Sequence, residues 1–137
     1  MRLQISAALA ALLISLGLVT LTPTAATASG GLQCNIGAVD SAASSLQSSR
    51  TYLNAHRSTS SWKRYVPRVS DTYTNVAGCF TGSAHTLLLQ SLDAFLGHYR
   101  AKHWSKGIAQ LDATIKVLRK IVNAYYDSDG DICPTYC

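Results

Sequence analysis

The chain has 137 residues, with 12 Lys and Arg against 7 acids, a formal charge of +5, and every acid is an aspartate. The absence of glutamate removes a common general acid, and the length allows one core-bearing domain rather than several. A modest positive balance fits work near anionic surfaces and by itself says nothing about fold.

Residues 1–28 read as a secretory signal: Arg2, an apolar run from Ile5 to Leu21, then Ala26-Thr27-Ala28 ahead of a mature chain starting near Ser29. The run is short for a span and is followed by Pro23 and small residues instead of a basic stop-transfer cluster. Cleavage is therefore expected, leaving no transmembrane segment in an extracellular protein. Residues 29–137 then form a single domain with a formal charge of +4 once Arg2 is gone. Export exposes it to oxidising conditions. Cys34, Cys79, Cys133 and Cys137 all lie in this part and are expected to form two disulfides. Zinc is the weaker reading, because Cys133 and Cys137 have no histidine nearby and no second pair.

The first predicted helix runs from about Ile36 to His56, with Ile36, Val39, Ala43, Leu46 and Leu53 on one side. Serine fills much of the rest, so packing rather than propensity must hold it. The second runs from Trp62 to about Ala77 through Trp62, Val66, Val69, Tyr73 and Val76. Pro67 inside it predicts a kink or a split into a short turn and a main helix. The third, Ser83 to about Lys102, packs through Leu88, Leu92, Phe95 and Tyr99. The fourth, Trp104 to Tyr126, has a seam of Ile108, Leu111, Ile115, Leu118, Val122 and Tyr125, with Ser105 as a candidate cap. Lys106, Gln110, Asp112, Lys116, Arg119, Lys120 and Asn123 are expected to face outward.

Four helices with short connections predict an all-α, up-down-up-down bundle. That topology sends all four cysteines to one end. Links from the tail to Cys34 and Cys79 are preferred, with Cys34–Cys79 plus Cys133–Cys137 as the alternative. The two remaining turns meet at the opposite end. Residues 41–70 and 94–111, which contain these turns, hold no acid. Arg57, Lys63, Arg64, Arg100, Lys102 and Lys106 are therefore the candidate anion-binding residues, the alternative being a solvated basic surface over core aromatics.

Asp127, Asp129 and Asp131 stand at alternate residues, the spacing with which calcium loops wrap oxygen ligands, so calcium is the one candidate cofactor. A polar turn ending the helix is the alternative. His98 and His103 are expected on different faces and make no metal site, and His85 reads as a satisfied core histidine. No motif of hydrolases, zinc peptidases or nucleotide-binding proteins occurs.

The run LDAFLGHYRAKHWSKGIAQLDATIKVLRKIVNAYYDSDGDI, residues 92–132, resembles the FIMAH-type helical modules of secreted bacterial proteins, with a similar Gln-Leu-Asp-Ala stretch and a Gly-containing turn. The resemblance implies a helical hairpin with a non-catalytic accessory or binding role. The leading expectation is a secreted non-catalytic protein binding cell-wall polymer, membrane surface or nucleic acid. A small secreted enzyme or toxin, or an inhibitor of a partner protein, is the alternative.

Overall fold

A computed structural model describes residues 32–127; the expected leader, Asp129, Asp131, Cys133 and Cys137 lie outside the described residues. The described residues are all-α, with four helices among them: α1 (Ile36–Ala55), α2 (Thr59–Ala77), α3 (Gly82–Arg100) and α4 (Trp104–Asp127). Each start has a local cause. The Asn35 side chain accepts the Ala38 N–H at 2.9 Å to cap α1, and Ser58 Oγ accepts the Ser61 N–H to cap α2. Because Ser58 is the cap, α2 begins at Thr59, ahead of the expected Trp62. It also runs unsplit past Pro67, which sits on an exposed face where solvent can reach the carbonyl the proline leaves unbonded. Gly82 opens α3 at φ 63°, a left-handed conformation suited to glycine.

The four helices enclose one core. Each packs against its chain neighbours, and α4 closes the ring against α1. Ile108, Leu111, Ile115, Leu118 and Val122 are buried as their spacing predicts, joined by Val117 and Ile121, while Tyr125 is only half-buried. From α1 come Val39, Ala43, Leu46 and Leu53; from α2 come Trp62, Val69, Tyr73 and Val76; from α3 come Leu88, Leu92 and Phe95.

Gln110 departs from its expected outward position and is only 3% exposed. Its amide donates to Ser91 Oγ at 2.6 Å, Ser91 lies 2.8 Å from Thr114 Oγ1, and Thr114 donates back to the Gln110 carbonyl at 3.1 Å. The Tyr73 hydroxyl donates to Thr114 at 2.7 Å, so three helices meet in one satisfied polar network. Burial pushes the Tyr73 hydroxyl up to about 12 despite those hydrogen bonds, and it stays a neutral donor. The hydroxyl of Ser49, also buried, has no partner, and nothing in the structure explains it.

At one end Cys34 and Cys79 are disulfide-bonded, 45 residues apart, which overturns the expectation that each would join the tail. The backbone explains the choice: Leu32 and Phe80 form an isolated antiparallel bridge, and the Gln33 N–H donates to the Cys79 carbonyl, so the start of α1 already lies beside the end of α2. Closing a loop of this length stabilises the fold by about 4 kcal/mol in the chain-entropy model.

Candidate functional site

The other end is built from the α1–α2 turn and the α3–α4 connection. At the close of α1 the His56 ring donates through Nδ1 to the Tyr52 carbonyl at 2.9 Å. It stacks on Tyr52 at 4.2 Å, and Tyr52 stacks on Tyr65 of α2 at 3.9 Å. This fixes the direction in which Arg57 leaves the helix. Its guanidinium donates to the Asn54 carbonyl at 3.3 Å, to Asn54 Oδ1 at 2.7 Å and to Ser105 Oγ at 3.0 Å. The last bond spans 48 residues and ties the two turns together. All three acceptors are neutral, so the guanidinium is oriented while its charge stays uncompensated.

The α3–α4 connection is a Schellman turn. The His103 N–H donates to the His98 carbonyl at 2.8 Å and the Lys102 N–H to the Tyr99 carbonyl at 3.0 Å. The position that must turn left-handed is Lys102, at φ 58°, the one such non-glycine among the described residues. This turn also corrects the expectation for the histidines. His103 lies outside both helices, and its ring centroid is 6.4 Å from that of His98. Burial first, then the charges of Lys106 and His103, hold His98 below its ordinary value of 6.5.

Beneath the turns lies an aromatic floor. Trp62 is fully buried, donates through Nε1 to the Leu53 carbonyl at 3.1 Å, and packs on Phe95, Tyr99 and Trp104 with centroids 5.7, 6.4 and 4.8 Å away. Gly107 lets α4 approach it, since a Cβ there would stand 2.8 Å from Trp62 Cη2. Above the floor lies a shallow, widely open cavity of about 320 Å³ lined by Arg57, Lys102, His103, Trp104, Ser105 and Lys106. Neither α2 nor α4, which both begin at this end, has an acid in its first turn to offset the positive end of its dipole.

Of the six sequence-predicted basic residues, Arg57, Lys102 and Lys106 thus come together around one cavity. Lys63, Arg64 and Arg100 are exposed but are not among its walls. Ser105 is not a cap; it is the second residue of α4 and serves as Arg57's acceptor. His85 donates to the Ala77 carbonyl at 2.8 Å and so is satisfied, but it is half-buried rather than a core residue. Asp127 is exposed at the end of α4, and its expected calcium partners Asp129 and Asp131 lie outside the described residues. Among the described residues no three His, Cys, Asp or Glu side chains cluster as a metal site, and no helix is long and apolar enough to cross a membrane.

Sequence reasoning missed the left-handed lysine, because Ala101-Lys102-His103 offers neither glycine nor asparagine to mark the turn. No family model, curated protein or solved structure matches this chain.

Proposed function

We propose that this is a secreted, non-catalytic protein that holds anionic extracellular material at the pole formed by the α1–α2 turn and the α3–α4 connection. The observation that carries the reading is Arg57, oriented by Asn54 and Ser105 across both turns and given no acid. Lys102 and Lys106 share its cavity, and no acid among the described residues pairs with Arg57, which favours a counter-charge brought by a ligand. Tyr126 is the one large apolar side chain left exposed among the described residues, which makes charge the stronger basis for binding. The likeness of residues 92–132 to FIMAH-type modules agrees with an accessory role. The same proposal includes helices alternating in direction and a local Cys133–Cys137 disulfide, the pairing left once Cys34 and Cys79 are joined.

The test is a double charge reversal, Lys63→Glu with Lys102→Glu, against an equal reversal of the exposed Lys116 and Lys120 on α4. Binding to anionic liposomes, poly(glycerol phosphate) and DNA is measured for both. Loss confined to the first pair is the expected result. Equal loss in both would mean that only net charge matters, and no binding by the native protein to any of the three would refute the function.

A further inference from the structure

Lys102 occupies a backbone position that glycine fills without steric cost, and a lysine there is strained by contact of its Cβ with the neighbouring carbonyl. The turn is fully hydrogen-bonded through its backbone, so the lysine side chain is not needed to close it. Strain of this kind persists at sites where the side chain has another use. The donors around the adjoining cavity are the two Arg57 N–H groups not used on Asn54 and Ser105, the Ser105 hydroxyl hydrogen, and the ammonium groups of Lys102 and Lys106. A planar carboxylate offers two coplanar oxygens to such a set, whereas a phosphate monoester offers three terminal oxygens and a phosphodiester two in a tetrahedral array. At about 320 Å³ the cavity is larger than a phosphate alone, and Trp104 gives it an apolar wall for an attached carbon skeleton. Of the rings on which a nucleobase would stack, Tyr52 is already sandwiched between His56 and Tyr65, and Trp104 packs against Trp62 tilted at 49°.

Resting on the polyanion reading, we infer that this cavity binds the phosphate group of a small polyol ester, free or as one unit of a polyol-phosphate chain, and that Lys102 is kept in its left-handed conformation to supply a cation to it. The residue then trades stability for binding.

The experiment titrates the intact protein with glycerol 3-phosphate, inorganic phosphate and acetate, and uses each to displace labelled poly(glycerol phosphate) or a labelled DNA oligonucleotide. Lys102→Gly and Lys102→Asn, which both tolerate the turn, should weaken glycerol 3-phosphate binding on the order of tenfold, the loss of one charge-assisted hydrogen bond. Lys102→Gly should also leave Tm unchanged or raise it by roughly 4 °C, and Lys102→Arg should retain binding. Unaltered affinity in Lys102→Gly, or a lowered Tm accompanying its loss of binding, would overturn the inference. So would acetate binding as well as phosphate, or displacement achieved only with the DNA oligonucleotide. A protein that binds poly(glycerol phosphate) through the pole yet ignores glycerol 3-phosphate overturns this inference alone; one that binds no polyanion overturns the broader function with it.

Discussion

On the flank where α1 meets α4, Arg50 grips Asp112 through two hydrogen bonds of 2.8 and 2.9 Å, and Arg119 pairs with Asp40 and donates to Ser44. At the pole, Arg57 is oriented just as firmly, but by an amide oxygen, a carbonyl and a hydroxyl. The same side chain is thus used in two ways. On the flank each arginine carries its counter-ion within the fold, and the Asp112 hydrogen bond raises Arg50 above its ordinary value. At the pole the partners supply geometry without neutralisation, and the basic side chains share a cavity instead of facing acids. Positive charge is common to both regions; what separates them is whether an oriented arginine has an acid beside it among the described residues.

The largest blow to the pole should come from below. Trp62→Ala empties the aromatic floor and should cost about 3–5 kcal/mol in urea denaturation. The molecules that remain folded should also bind poly(glycerol phosphate) more weakly, because Trp104 in the cavity wall packs on the lost ring. Leu118→Ala, a buried change on α4 away from the floor, should cost about 2–5 kcal/mol and leave that binding intact. Equal losses of binding in the two variants would erase the distinction between floor and core.

A smaller effect is expected on the flank. Arg50→Gln breaks a pair whose side chains are 29% and 46% exposed, so it should cost about 0.2–1 kcal/mol, less at high salt. Polyanion binding should not change. A drop comparable to that of Arg57→Gln would show that the flank belongs to the binding surface.

The smallest effect concerns acid. His98 has a folded-state value below its unfolded 6.5, so the unfolded chain takes up the proton first as pH falls. Its contribution therefore lowers stability from about pH 6.5 downward, and the penalty is complete once pH passes the lower folded value. Comparing denaturation midpoints of the native protein and His98→Gln between pH 7.5 and 5 should show a shallower acid slope in the variant. An identical slope would remove His98 from the charge crowding of the pole.

Helical spacing made most of the fold legible, because the apolar rows that cover one another are written at intervals of three and four. The rows reach Tyr73 and Leu118 without error, and fail at Gln110. Gln110 reads as surface by polarity, yet it lies one turn before Thr114 on the same side of α4, and Ser91 and Tyr73 from other helices satisfy both. That satisfaction is tertiary and leaves no local mark. The preferred disulfide pairing fails for a different reason: it ties the tail to the first two helices, whereas a turn between α1 and α2 already brings Cys79 back toward Cys34. At the pole, the two acid-free windows located the charges. They could not reveal that Ser105 would hold Arg57, or that Lys102 would take a glycine's conformation, since both depend on how the two turns meet.

The chain contains two tryptophans, and both stand at the pole, one buried in its floor and the other in the wall of its cavity. Ultraviolet emission excited at the red edge of tyrosine absorption therefore comes from this end of the molecule alone. Trp62, fully buried and hydrogen-bonded to the Leu53 carbonyl, lies 4.8 Å from Trp104, close enough to exchange excitation with it. Trp104, half-buried beside Arg57 and Lys106, supplies a component that water and any occupant of the cavity can quench or shift. The protein thereby carries its own optical gauge of the pole, and opening of the disulfide end could proceed without registering on it.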